Sequence, residues 1–301
     1  MTLNRGILLA FVGALLLTPD SLFMRWSELD GGAMLAWRAS LSGIIYIVIG
    51  YMFGGSANAV RQGGLRLFSF WILVLCQISN ATFFAFGIAI APVAIVLVAV
   101  ATVPIFSVIL GFFFLGERPD FGTWVIVGVV FLGIALSVLG DIDPTQLFNP
   151  YTALGAVFGL LVAISLAINF VIIRKNETLP FELALGFGAI IAGLGAFVLF
   201  PTARSLSFES AFYISLTGLI ILPISFYLLS YASRFTSAAN VSMLMLLETI
   251  LGPFWVWLGV GETPGIFGLI GGGIVVAALF YFLLRQKDVT GSRAEPVNQS
   301  S

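Results

Sequence analysis

Histidine is absent from the 301-residue chain, which removes imidazole metal sites, bis-His haem, catalytic triads and histidine proton relays. The single cysteine, Cys76, lies inside an apolar run, so neither an intramolecular disulfide nor a thiolate metal or cluster site can be assembled. Charge is scarce as well: 13 Lys+Arg and 14 Asp+Glu make up 9% of a chain that is 60% hydrophobic. A soluble domain carries about a quarter charged residues, so lipid must replace water around most of these side chains. Only two lysines occur and no GxxxxGK[ST] loop is present, which excludes direct ATP hydrolysis by this chain. No basic patch exists to hold nucleic acid.

What the chain has in abundance is long apolar runs. A bilayer core about 30 Å thick needs roughly 20 apolar helical residues. Ten such stretches can be read: 6–24, 33–53, 67–90, 93–115, 121–139, 151–173, 181–200, 211–231, 236–260 and 266–284. They are too long and too continuously apolar for barrel strands, so an all-α bundle of ten transmembrane helices is expected. The first span resembles a secretory signal in its leading Arg5, yet no small-x-small cleavage site follows, and it is kept as a helix. With a cytoplasmic N-terminus, ten Lys/Arg fall on inside loops and tails against Arg25, Arg38 and Arg204 outside, which places both termini in the cytoplasm. The polar tail 286–301 is expected to be disordered.

Sliding the halves past each other by 145 residues lays Gly116-Glu117-Arg118-Pro119 on Gly261-Glu262-Thr263-Pro264. Both copies join the fourth and fifth helices of a five-helix unit. Five is odd, so the second unit enters the membrane from the opposite side, and the chain reads as two inverted repeats, 1–140 and 151–285, about a connecting loop 141–150 that is expected outside the cytoplasm. These turns, the Pro-bearing fourth span (Thr102-Val103-Pro104) and Arg38 early in the second span resemble the EamA-type branch of the drug/metabolite transporter (DMT) superfamily. Within it, the Thr18-Pro19-Asp20 first helix is similar to that of the YddG-like aromatic amino acid exporters. The resemblance implies export of amino acids and related metabolites across a bacterial inner membrane, through a central cavity between two pseudo-symmetric halves.

Polar groups inside hydrocarbon are costly and are therefore functional candidates, weighed in each case against plain interhelical hydrogen bonding. Asp20 and Arg38 lie at similar depth, roughly 6 to 8 Å below the outer end of the first two helices, so they can form a salt bridge, an outer gate, or ligands for the two ends of a zwitterion. Glu248 is at the bilayer midplane, sharing a helical face with Leu244 and Asn240, and can bind a substrate amine, couple to protons, or make a structural hydrogen bond. Glu182 was set aside because a helix end can reach water. Gln77, Asn80 and Phe84 follow helical spacing on the third span, Ser165 and Asn169 on the sixth, and Tyr227 lies on the eighth beside Ser225 and Ser230. Pro19, Pro104, Pro223 and Pro253 free backbone carbonyls and can act as hinges, or simply as static kinks. Most of the 29 Phe must face lipid or fill the core, and Trp26, Trp255 and Trp257 suit interfacial belts.

Three function classes compete. A membrane enzyme working on phosphates needs clustered carboxylates with basic support, and the Asp141/Asp143 pair lies in a loop with no supporting basic residue. A channel needs a ring of pore elements, whereas an inverted repeat fits a monomeric carrier. The expected activity is therefore alternating-access export of large neutral or aromatic amino acids, the small-molecule partner, with no catalytic residue, no metal and no cofactor. The alternative cargo is a drug-like cation, or a sugar-phosphate or nucleotide-sugar. Phosphorylated cargo is disfavoured because Arg38 is the only cation deep in a span.

Overall fold

In the computed structural model the chain is described over residues 2–53, 56–91, 93–117, 120–139, 149–261 and 266–292. All secondary structure among these residues is helical. Ten helical segments follow in order: α1 (Arg5–Trp26), α2 (Gly31–Met52), α3 (Phe68–Ile90), α4 (Ile95–Leu115), α5 (Phe121–Leu139), α6 (Pro150–Lys175), α7 (Phe181–Leu199), α8 (Phe208–Ala232), α9 (Ala238–Gly259) and α10 (Ile266–Ser292). Eight are long and apolar enough to cross a membrane, and α5 and α10 carry the shorter apolar stretches Phe121–Leu136 and Leu269–Phe282. The ten expected spans thus correspond to ten helices. Helix α10 runs on to Ser292, so the polar tail begins as helix where the composition argued for disorder. The sequence Arg285-Gln286-Lys287-Asp288 contains nothing that stops a helix before Gly291.

The halves interlock rather than sit side by side. Helix α2 packs along α7, α3 along α6, α1 along α8 and α5 along α10. Close contacts near Gly32, Gly43 and Gly50 on α2 fall at Phe200, Gly186/Ile190 and Glu182, so α2 and α7 run antiparallel. These two helices are repeat-mates, and an axis lying in the membrane plane is what makes repeat-mates antiparallel. The approach is tight because the seam is lined by small residues: a Cβ on Gly43 would fall 2.6 Å from Ile190 Cγ1 and 2.9 Å from the Gly186 oxygen. In lipid, where no hydrophobic force separates protein from solvent, such backbone approach supplies much of the packing.

Several helices are interrupted, and the interruptions recur with the repeat. Helix α4 breaks at Ala101-Thr102 ahead of Pro104, and α9 breaks at Leu246, again 145 residues further on. Gly116 and Gly261 end the same two helices in the left-handed region, at φ 67° and 81°, where only glycine is unstrained. The remainder of the paired turns, Arg118-Pro119 and 262–265, lies outside the described residues, as do 140–148 of the connecting loop and 293–301 of the tail. Helix α1 breaks at Thr18-Pro19, and α8 widens into a π-turn at Thr217–Ile221 before Pro223, which has no N–H to donate. The second-half break was expected at Pro253, but the helix is continuous from Leu247 to Val260 and interrupted earlier, without a proline; the Pro253 side chain itself lies outside the described residues.

Gly43→Val is expected to force α2 from α7 and destabilise the folded protein by about 1–3 kcal/mol. Gly195→Ala, where a Cβ meets nothing within 4 Å, is the control. Thermal unfolding in detergent checks both; equal midpoints would show that the seam does not hold the halves together.

Candidate functional site

Between the halves lies a cavity with about 590 Å³ of space not filled by atoms, open solvent included. Its wall is apolar over most of its area, through Leu17, Met34, Val100, Val162, Leu222, Phe226 and Met245. The polar groups on it are Arg38, Ser42, Tyr46, Gln77, Asn80 and Glu248. Helix α2 contributes the longest stretch, from Met34 to Tyr46, because every third or fourth residue of it faces inward.

Asp20 stands at the start of the short helix that resumes after the Thr18-Pro19 break, and its Oδ2 accepts a hydrogen bond from Arg38 Nη2. Asp20 is 0% exposed and Arg38 7%, so this ion pair is fully removed from water. Each charge is solvated mainly by the other. Asp20 Oδ1 and Arg38 Nε nevertheless have no hydrogen-bond partner. The Arg38 guanidinium also lies 5.4 Å from the centre of the Phe84 ring, a cation–π distance. The α1 break is fastened from the far half: Thr18 Oγ1 donates to the Leu15 carbonyl at 2.8 Å and accepts from Trp255 Nε1 at 2.9 Å. Trp255, expected in an interfacial belt, therefore ties α9 to the turn that presents Asp20.

Glu248 follows the α9 break by two residues and sits in the first turn of the helix that begins there. It is 5% exposed, lines the cavity, and makes no hydrogen bond or ion pair among the described residues, although Asp20 and Arg38 are close enough for their charges to act on it. The positive end of a helix favours a carboxylate in its first turn. The break falls between Asn240 and Glu248, so the shared face expected of one straight helix is interrupted. Asn240 is absent from the cavity wall, and its Nδ2 donates to Thr236 Oγ1 at 2.7 Å.

Of the other expected residues, Gln77, Asn80 and Phe84 line the cavity together. Ser165 does not: it donates to the Leu161 carbonyl at 2.8 Å and is bonded to Ser79 Oγ at 2.9 Å, joining α6 to α3. Asn169, also outside the cavity wall, is buried with its Oδ1 unpartnered. Tyr227 lies elsewhere, stacked between Phe181 and Tyr231 at 6.0 and 5.7 Å. Pro19, Pro104 and Pro223 each adjoin an interruption in their helix. Tyr46 and Ser42 were not foreseen. Their signal was available, since both continue the face of α2 that begins at Arg38, at i+4 and i+8. Glu182, set aside as solvated, is 1% exposed.

Two interlocked, oppositely oriented helical halves around a largely apolar cavity that carries a few polar groups define a membrane transporter. The chain belongs to the EamA-like transporter family, whose model matches residues 4–139 and 153–284. A transporter from Bacillus subtilis named YdfC, described as uncharacterized, is 28% identical over 196 residues, 62% of this chain and 61% of that one. The S-adenosylmethionine uptake transporter of Rickettsia felis is 27% identical over 256 residues, 83% of this chain and 82% of its own length. A solved crystal structure 17% identical in sequence superimposes with a TM-score of 0.74, covering 97% of this chain and 99% of that one, which shows the fold.

Asp20→Asn or Arg38→Met alone should lower stability by about 3–5 kcal/mol, because each leaves a buried charge unpaired. The double variant Asp20→Leu/Arg38→Met should recover most of that loss. Unfolding midpoints of the three purified variants check this; a double variant as unstable as the sum of the singles would mean the two residues do not act as a pair.

Proposed function

We propose that the chain is an alternating-access carrier for amino-acid-type solutes, in particular those joining an ammonium group to a large apolar side chain, in a bacterial inner membrane. The observation that carries this reading is Glu248. It is a cavity carboxylate with no partner of its own, facing a guanidinium already committed to Asp20. Because the Asp20–Arg38 pair cancels its own charge, Glu248 is left to favour a ligand that brings a positive group. Phe84 and the apolar wall accept a side chain without demanding a particular hydrogen bond, which supports a permissive range.

The relatives' names support the same chemistry. S-adenosylmethionine carries an α-ammonium, an α-carboxylate and a sulfonium, so it too presents positive charge beside an aminocarboxylate. Outward movement of aromatic amino acids follows from the family resemblance, whereas the Rickettsia relatives are named for uptake. Since no ATP site exists in this chain, a gradient sets the direction, either of the solute itself or of protons carried by Asp20 or Glu248. In this reading residues 1–140 and 151–285 rock about the cavity as a monomer, with the 141–150 loop outside and both termini, including 286–301, in the cytoplasm. Arg38 with Asp20 acts as the outer gate, and Pro19, Pro104 and Pro223, with the Leu246 interruption in place of Pro253, mark the segments that bend. A drug-like cation is the second reading, because Glu248 and Phe84 would hold an organic cation equally well. Nucleotide-sugars and sugar-phosphates fit less well, as the cavity offers phosphate no uncommitted cation.

Counterflow in liposomes with labelled phenylalanine, S-adenosylmethionine and a nucleotide-sugar tests this. Saturable exchange of either of the first two is expected, falling about tenfold or more in Glu248→Gln, the equivalent of one charge-assisted hydrogen bond lost. Exchange of the nucleotide-sugar alone, or flux that never saturates, would overturn the reading.

A further inference from the structure

A second buried carboxylate lies outside the cavity. Glu182, in the first turn of α7, is 1% exposed. Its Oε1 has no hydrogen-bond partner, and its Oε2 receives only a long 3.5 Å bond from Ser56 Oγ, itself fully buried. Both residues converge on Gly50, where a Cβ would fall 2.9 Å from Ser56 Oγ and 3.0 Å from Glu182 Cβ. Gly50 lies on α2 twelve residues beyond Arg38, about 18 Å along the helix axis. Tyr46 stands between them, and it closes the cavity at that end by donating its hydroxyl to the Leu222 carbonyl at 3.3 Å, beside the π-turn of α8.

Aromatic faces and a guanidinium adjoin this carboxylate. Phe181 precedes it in the chain, stacked on Tyr227, which is stacked on Tyr231. Arg234 lies over the Phe181 ring at 4.8 Å and the Tyr231 ring at 5.7 Å. Arg234 is held by its own bonds, donating Nη2 to the Leu179 carbonyl at 2.7 Å and accepting on its carbonyl from Arg174 Nη1 at 2.7 Å. It makes no ion pair with Glu182, and its Nε is buried and unpartnered. A buried carboxylate with a free oxygen, beside stacked aromatic faces, matches an ammonium group attached to an apolar or aromatic body.

We propose that Glu182, with Ser56 and the Phe181–Tyr227–Tyr231 stack, is a second station for the positively charged end of the solute, reached once the Tyr46–Leu222 closure opens. The inference rests on the carrier reading given above. An ammonium moving from Glu248 toward the Gly50 end of α2 meets Glu182 there, and the aromatic stack receives the side chain that Phe84 releases.

The test uses the full chain in lipid nanodiscs, with 2-phenylethylammonium as probe and dicyclohexylcarbodiimide, a lipid-soluble carboxylate reagent, read at residue 182 by mass spectrometry. Saturating probe should lower labelling of Glu182 about tenfold, and the same protection should persist in Glu248→Gln, where the cavity carboxylate is removed. Absence of protection at Glu182, or protection that vanishes in Glu248→Gln, overturns the station. In liposomes, Glu182→Gln and the milder Ser56→Ala should slow exchange of S-adenosylmethionine or phenylalanine; parental exchange rates overturn it as well. Failure of the carrier reading looks different: no exchange of either solute by the parent, with protection at Glu182 intact.

Discussion

An aspartate and an arginine bonded to each other out of reach of water constrain everything around them. Neither Asp20 nor Arg38 could remain charged in hydrocarbon alone, so α1 and α2 must be placed such that the two meet. That requirement explains the interruption at Thr18-Pro19, which restarts the helix with Asp20 turned inward, and the fastening of that turn by Trp255 from α9. It also explains the charge of the cavity. With the pair self-compensating, Glu248 is the carboxyl group on the wall that has no ion-pair partner among the described residues.

The second constraint is the close approach of α2 and α7 through glycine-lined seams. Antiparallel repeat-mates pressed together at Gly43 and Gly186 leave little room for side chains at the crossing. The polar groups are therefore displaced along the helix, Arg38 toward one end and Glu182 toward the other. Interruptions at corresponding points of α4 and α9 fall beside the cavity wall, and the helix that resumes after the α9 interruption carries Glu248 in its first turn.

The architecture was legible because it is written in long-period features. Ten apolar runs and a glycine turn repeated 145 residues apart need no knowledge of side-chain contacts. The matching level of Asp20 and Arg38 was legible for the same reason, since position along a helix is a count of residues. Which neighbour a polar face meets was not. Ser165 and Gln77 have comparable helical spacing, yet one joins α6 to α3 and the other faces the cavity. Tyr227 and Asn240 are turned toward α8 and α9 surroundings that only packing defines. Glu182 was misjudged because a helix end is not always at water: Gly50 lets α2 lie over the start of α7, and Ser56 closes the gap. The α9 break escaped notice because proline was taken as the marker, while Leu246 interrupts the helix without one.

The central claim is that the cavity selects positive charge because the ion pair is neutral as a unit while the Glu248 carboxyl group is left without a partner. Competition against labelled phenylalanine in proteoliposomes tests it most directly, using two analogues that differ only in which charged group is missing. The account predicts that phenylethylammonium, which keeps the ammonium, competes about as well as phenylalanine, and that phenylpropionate, which keeps the carboxylate, does not compete. The opposite order, with phenylpropionate competing and phenylethylammonium inert, would contradict it.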